Sequence, residues 1–280
     1  MTLKRDAMAP DLDLITALVR EAARDELLPR FRRAERGWKD DGSVVTEADL
    51  AVQARLTAAL ANERPDIPLL GEEMPLAEQL AFLERRPRRY WCLDPLDGTS
   101  NFAAGLPLYS ISLALMEDHQ PALGIVYDPN TDECFTASRG QGAWLNGQPL
   151  QCPPCGLPLR RCLAMIDFKR LDRALATALV TRPPYSSLRY TGSGALEWCW
   201  LAAGRFQLYL HGEQKLWDYA AGALILAEAG GIATTLEGHE LFAGHALVNS
   251  VRAAPDTRLF SEWAEALRER GAFARGPGKS

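Results

Sequence analysis

The chain has 280 residues, 47% of them apolar, and a formal net charge of −5 at pH 7. That is enough for one large core or two smaller ones. It carries no dense Lys/Arg stripe, so nucleic-acid binding is not favoured, and the short run Arg85-Arg86-Pro87-Arg88-Arg89 reads as a solvated turn. The N-terminus, Met1 to Asp6, leads into no long apolar run; no signal peptide or membrane span is expected, and a cytoplasmic location follows. Six cysteines, at 92, 134, 152, 155, 162 and 199, are too scattered for a disulfide framework. Cys152-Pro153-Pro154-Cys155 has CxxC spacing, but no second pair or nearby His completes a zinc site, and the segment reads as a proline-rich linker.

Leu12, Ile15, Leu18, Val19 and Ala22 recur at helical spacing and predict an amphipathic helix over 11–33, with Pro29 near its end. A loop follows to Val45. Thr46 opens a helix to about Ala61, with Leu50, Ala54 and Leu60 among its apolar positions. Thr46-Glu47-Ala48-Asp49 is also a capping pattern, the carboxylate reaching back to the helix start. Leu69-Leu70 is a short strand ended by Gly71-Glu72-Glu73, an acidic pair that can equally mark re-entry into solvent. A helix is expected within 75–86 and a strand from Tyr90 to Leu93. Strands at 109–116, 122–127, 134–138 and 143–145, with Asn146-Gly147 as a hairpin signal, predict an antiparallel sheet. Residues 149–158 hold four prolines and two cysteines and make the best boundary between an N-terminal half, 1–150, and a C-terminal half, 151–280. Beyond it come a strand at 163–168, helices at 172–180 and 195–203, and a strand at 206–210. A helix from Asp218 to Ala229 stops at Gly230-Gly231. Short strands near Ile232 and at 246–251 precede a last helix at 255–270, and the tail from Gly271 to Ser280 is expected to fray.

The stretch from Trp91 to Phe102 organises the rest. Pro95 fixes its own backbone and pushes Asp94 to an extended conformation; Asp97-Gly98 makes a tight turn. Two carboxylates, three apart, should gather at the end of a buried strand, with the N–H groups of a turn and the Thr99 hydroxyl close behind. Such carboxylates repel unless a hard cation lies between them, and Mg2+ takes oxygen ligands while leaving room for substrate phosphate. Each turn dipeptide alone is ordinary; the full run is not.

Asp94-Pro95-Leu96-Asp97-Gly98-Thr99-Ser100-Asn101-Phe102 resembles the first signature of the inositol monophosphatase family, Mg-dependent, lithium-sensitive phosphomonoesterases. Trp217-Asp218-Tyr219-Ala220-Ala221-Gly222, followed by Glu228-Ala229-Gly230-Gly231, resembles the second. Gly71-Glu72-Glu73 and Val45-Thr46-Glu47-Ala48-Asp49 resemble two further family segments, all in the family's order. The resemblance implies an α/β fold, a layered αβαβα sandwich with an α+β N-terminal half and an α/β C-terminal half and the site between them. On this reading one Mg2+ is held by Glu72, Asp94 and the carbonyl of Leu96, and a second is shared by Asp94, Asp97 and Asp218; a third, weaker site lies beside Glu72. Thr99 and Glu72 orient the attacking water and take its proton, with Asp49 behind Thr99. The N–H groups of Gly98 and Thr99 hold the phosphate.

Asp218 sits at a predicted helix start, where an N-cap role is the ordinary one and does not exclude a metal. Gly192, Ser193 and Gly194 fall where the family contacts substrate, and read otherwise as a plain turn. His211 stands where the family's inositol phosphatases have a glutamate that contacts the sugar ring. Glu213, two residues on, is the candidate replacement, so strict inositol phosphate specificity is in question. Val45 replaces a proline of many bacterial relatives. The implied activity is hydrolysis of a small phosphate monoester, myo-inositol 1-phosphate or a related polyol phosphate. 3'-Phosphoadenosine 5'-phosphate, fructose 1,6-bisphosphate and histidinol phosphate are alternatives on the same site. A regulatory protein associated with the transcription machinery is the alternative of another class. The partners implied are a small phosphorylated substrate and a second copy in a homodimer, with no membrane.

Overall fold

The computed structural model describes residues 11–33, 35–39, 42, 44–243 and 246–271. The readings of Met1 to Asp6, of part of the loop before Val45 and of the tail beyond Gly271 lie outside them.

Helix α1 (Leu12–Ala22) starts on Asp11, whose carboxylate accepts from the N–H groups of Asp13 and Leu14. It buries Ile15, Val19 and Ala22 and runs on as a wider π turn over Ala23–Leu27, so the helix expected to reach 33 ends short. A two-stranded ribbon of β1 (Gly37–Trp38) and β2 (Val44–Val45) leads to α2 (Glu47–Glu63), capped by Thr46 with Asp49 bonding back. Its buried stripe is Ala48, Val52, Leu56 and Leu60; of the apolar positions named from sequence, Leu50 is 55% exposed and Ala54 is exposed too. The buried residues recur every fourth position, and a residue two along from that stripe points away from it.

The first sheet has seven strands in chain order: β3 (Leu69–Gly71), β4 (Arg89–Asp97), β5 (Ser110–Glu117), β6 (Gln120–Asp128), β7 (Glu133–Ser138), β8 (Gly142–Leu145) and β9 (Gln148–Leu150). Only the β3–β4 pair is parallel. Helix α3 (Leu76–Glu84) links β3 to β4, and α4 (Thr99–Ala104) follows β4. Asn146 and Gly147 both have positive φ, as the two-residue hairpin turn demands.

The second sheet has five strands. β10 (Leu163–Asp167) lies parallel to β11 (Ser187–Arg189) and to β12 (Leu208–Lys215), which pairs antiparallel with β14 (Val248–Ala254), itself antiparallel to β13 (Ile232–Thr234). Between them run α5 (Arg173–Thr181), α6 (Gly194–Ala202), α7 (Leu216–Glu228) and, last, α8 (Thr257–Arg268). β11 was not expected. β12 was expected to stop at 210 but continues to Lys215 through a bulge, because Gly212 and the polar residues after it break the apolar pattern without breaking the pairing.

Side-chain packing sets the layer order. Ile15, Val19, Val52 and Leu56 cover one face of the first sheet through Trp91, Leu93, Ile111 and Leu113. Trp198, Tyr219, Ala221 and Ile225 of α6 and α7 fill the space between the sheets, against Tyr90, Cys92 and Ala114 on one side and Tyr209 and Val251 on the other. Leu175, Leu179, Leu259 and Trp263 of α5 and α8 cover the outer face of the second sheet. The result is an αβαβα sandwich. Both sheets are covered on both faces, so even Ser110 and Ser112, which lend 109–116 its alternating look, are buried. Trp198 in the middle layer is fully buried, and truncating it would cost roughly 3–5 kcal/mol. Among the described residues no helix is long and apolar enough to cross a membrane.

Candidate active site

In an unbroken strand successive side chains alternate faces, so residues three apart point to opposite sides. On β4, Tyr90 and Cys92 face the middle helices, and Trp91 and Leu93 face α1 and α2. Between Asp94, opposite Ser112, and Asp97, opposite Ser110, β4 carries one residue more than β5. This bulge inverts the alternation: Leu96 packs with the α1–α2 core, and both carboxylates turn to the other side. Proline, which has no N–H to give the ladder, is suited to such a position. Gly98 follows at φ +91; a Cβ there would stand 2.7 Å from the Leu108 carbonyl oxygen, so the turn into α4 requires glycine.

The partners arrive from two other elements. Glu72 follows β3, with its N–H on the Leu93 carbonyl at 3.0 Å. Asp218 comes from α7, which is docked on the first sheet by the Ser112 hydroxyl donating to the Trp217 carbonyl at 2.9 Å. Asp218 is not the N-cap it was expected to be. The helix begins two residues earlier, at Leu216, and the Asp218 carboxylate sits in its first turn, accepting from the Lys215 N–H at 3.0 Å. Carboxylate oxygens of Glu72, Asp94 and Asp218 all lie within 4.8 Å of one another. Burial, then the charges of Glu72, Asp97 and Asp218, push Asp94 well above the usual carboxylate range; burial with Glu72 and Asp97 does the same to Asp218. Three converging acids with only oxygen to offer fit a hard divalent cation. The Lys39 ammonium marks the same demand for positive charge, donating to Glu72 at 2.9 Å and Glu73 at 2.7 Å. The Leu96 carbonyl oxygen lies 2.9 Å from Thr99 Oγ1, and a carbonyl oxygen has two lone pairs to offer.

Thr99 Oγ1 lies 2.9 Å from Asp49 Oδ1. Asp49 Oδ2 accepts from the Thr46 N–H at 2.7 Å and hydroxyl at 2.6 Å, so the capping residue also stands behind the Thr99 hydroxyl. Burial raises the Asp49 carboxyl above its ordinary value, which makes it a better proton acceptor.

Asp97 stands outside the group of three. Its Oδ2 accepts from Ser193 Oγ at 2.5 Å and the Ala195 N–H at 2.8 Å, and its Oδ1 from the Gly194 N–H at 3.1 Å. Burial still pushes it up to about 6 against these donors. Ser193 and Gly194, expected to face substrate, also bind Asp97, and Gly194 lines the cleft as well. Gly192 lines the cleft beside them, with Asn101 donating to the Thr191 and Leu108 carbonyls at 2.8 and 2.7 Å.

That cleft, about 210 Å3, runs from Asp97 and Asp218 past Gly192, Tyr190 and His211 to Lys169 and Arg170. His211 is committed to the protein at both ring nitrogens. Nδ1 accepts from the Glu213 N–H at 3.2 Å, leaving Nε2 to donate to Asp167 Oδ2 at 3.1 Å. Burial alone would raise Asp167, but His211 and the Lys169 N–H outweigh it and hold the carboxyl below its usual range. Glu213 reaches the cleft because β12 bulges between His211 and Gln214. A Cβ on Gly212 would lie 1.7 Å from the Arg170 carbonyl oxygen, so only glycine lets the bulge nest there. Beneath the cleft Glu197, 1% exposed, accepts from the Thr191 N–H at 2.9 Å and hydroxyl at 2.7 Å, and burial lifts it to about 7. Lys39, Asp167, Tyr190 and Glu197 were not singled out from sequence, and none lies at a motif position where its chemistry would show; Asn101 stands in the first signature but was given no role there.

The sequence profile of the inositol monophosphatase family matches residues 9–272. Inositol monophosphatase 1 of Solanum lycopersicum is 35% identical over 237 residues, covering 82% of this chain and 84% of that one. Nus factor SuhB of Pasteurella multocida is 32% identical over 231 residues, covering 78% and 80%. Among solved structures, an IMPase of Thermotoga maritima superposes with a TM-score of 0.79 at 28% identity, over 92% of this chain and 97% of that one.

Proposed function

Because the chain belongs to the inositol monophosphatase family, we propose that it hydrolyses a small phosphate monoester at the Glu72–Asp94–Asp218 centre. The observation that carries this reading is the convergence of those carboxylates from β3, β4 and α7. With the Leu96 carbonyl, and with Asp97 beside them, they would hold two Mg2+, with a weaker third site near Glu72. Bound there, Mg2+ lowers the pKa of a coordinated water and offsets charge on the phosphoryl oxygens.

The chain's own residues do the rest. Thr99 and Glu72 orient the water. As its proton moves to Thr99 Oγ1, the Thr99 proton passes to Asp49 Oδ1, the partner that burial has made more basic. N–H groups of Gly98 and Thr99, at the start of α4, steady the phosphate. The cleft, about 210 Å3, takes a leaving group the size of a sugar ring. His211 is spent on Asp167, so Glu213 contacts the leaving group's hydroxyls, which favours myo-inositol 1-phosphate or a related polyol phosphate over the nucleotide, fructose and histidinol phosphates. Lithium inhibition, a homodimer and a division into halves at 150/151 belong to the same proposal. Relatives named Nus factor keep one further role beside it, association with the transcription machinery.

Phosphate release from all these substrates, with and without Mg2+, tests the reading in wild type and Asp94→Asn. Polyol phosphate turnover that needs both Mg2+ and Asp94 is expected. Hydrolysis indifferent to either would remove the centre from the mechanism, and exclusive hydrolysis of the adenosine bisphosphate would move the substrate.

A further inference from the structure

The CxxC pair that the sequence draws attention to is not a pair in space. Cys152 turns inward, its Sγ 3.5 Å from the Leu201 carbonyl oxygen. Cys155 instead meets Cys162, with sulfurs 3.8 Å apart although the residues are seven apart in sequence. All six thiols are free, and Cys92, Cys134, Cys152, Cys162 and Cys199 are buried. Cys155 is the exception. It lines an open surface groove of about 180 Å3 with Pro153, Gly204, Phe206 and Pro255.

The loop is held in this arrangement by the start of α8. Asp256 accepts from the Cys155 N–H at 2.7 Å with one oxygen and caps α8 through Leu259 with the other. Arg258 donates to the carbonyls of Cys155 and Leu157 at 2.5 and 3.0 Å. Cys162 is fixed at the end of the Leu159–Arg161 turn, directly before β10. Against a disulfide's S–S bond, the sulfurs need to close by about 1.8 Å.

We propose that Cys155 and Cys162 are a redox pair that closes to a disulfide, with Cys155 the attacking thiol and Cys162 the resolving one. The oxidant is a low-molecular-weight disulfide, RSSR. The Cys155 thiolate attacks one of its sulfurs and releases the first RSH after protonation. The Cys162 thiolate then attacks Cys155 Sγ in the mixed disulfide and releases the second. Two protein S–H bonds are exchanged for one S–S bond, and RSSR is reduced to two RSH. Access sets the order: Cys155 is the thiol that lines the open groove, whereas Cys162 is buried, and burial, with Cys155 alongside, pushes it up to about 12. The bond ties a loop already clasped to α8 to the base of β10. The active-site cleft lies at the other end of that strand, beyond Asp167.

The test equilibrates the full chain in mixtures of oxidised and reduced glutathione, quenches with a thiol alkylating agent and maps the cysteines by mass spectrometry. A Cys155–Cys162 cross-linked peptide is expected, reversed by dithiothreitol and formed equally in Cys152→Ser. Cys162→Ser should instead accumulate glutathione on Cys155. The oxidised wild type should melt a few degrees higher than the reduced protein, a shift missing from Cys155→Ser. A Cys152–Cys155 cross-link, wild type that stops at glutathionylated Cys155, or six alkylated cysteines under oxidised glutathione would each overturn the pair.

Discussion

Two bulges frame the cleft, one in each sheet, and they do opposite things. The β4 bulge, built on Pro95, brings Asp94 and Asp97 to one side of the strand, and Asp94 meets Glu72 and Asp218 with charge left over. The β12 bulge, built on Gly212, also turns side chains into the cleft, but His211 is at once consumed by Asp167 and by the Glu213 N–H. One side is left electrostatically unsatisfied and therefore calls for a ligand; the other satisfies itself and therefore shapes a wall. A cluster of repelling carboxylates is costly to keep without a counter-ion, whereas a hydrogen-bonded pair is a structural unit.

The most direct way to break this contrast is to remove charge on the first side. Asp94→Asn keeps the shape and should cost about 10^3-fold or more in kcat, close to 4 kcal/mol of barrier. The metal-free variant should melt no lower than wild type, because a repelling charge is gone, and the rise in melting temperature on adding Mg2+ should shrink; calorimetry at fixed Mg2+ reads both. Asp97→Asn is a less clean probe, since its two oxygens accept three bonds from Ser193, Gly194 and Ala195.

The floor of the second side carries a pH signature. Glu197 is lifted from 4.5 to about 7 by burial. A carboxyl raised on folding favours the folded state while protonated, so its contribution is complete below about 4.5 and is lost as pH rises through 7. Wild type should therefore lose about 3 kcal/mol relative to Glu197→Gln between pH 5 and 8, measured by urea titration at each pH. Parallel pH profiles for the two proteins would put Glu197 in contact with water.

Gly212→Ala attacks the β12 bulge itself. The added methyl collides with the Arg170 backbone, and about 2 kcal/mol of stability should be lost, with KM rising more than kcat falls because only the wall moves. The smallest effect is expected at His211. With both nitrogens facing the protein, His211→Ala should lower kcat less than about tenfold; a loss as deep as that of Asp94→Asn would show that the wall does chemistry and erase the distinction between the two sides.

The same contrast explains what could be read in advance. Asp94, Asp97 and Thr99 stand in one contiguous run, and Thr46 and Asp49 are a capping pair three apart, so local backbone rules and the family signatures were enough to single them out. Glu197 is an ordinary first-turn helix glutamate until Thr191 is brought to it. Asp167 is an ordinary strand end until β12 lies parallel to β10 and presents His211. Cys155 ignores its sequence neighbour Cys152 because the α8 clasp aims it elsewhere.

By itself, then, the sequence determined the αβαβα class through its family signatures, most element positions through their hydrophobic periods, and the candidacy of Glu72, Asp94 and Asp218, which the fold brings together. Those depend on interactions within a few residues, which the chain carries wherever it goes. Tertiary structure alone decided which acids touch, that Asp218 lies in the first turn of its helix rather than at its cap, that Asp97 is held by the start of α6, and that both His211 ring nitrogens meet protein partners. Each of those depends on the register and bulges of two sheets packed against the same pair of helices, and a shift of one residue in either strand would send the side chain to the opposite face.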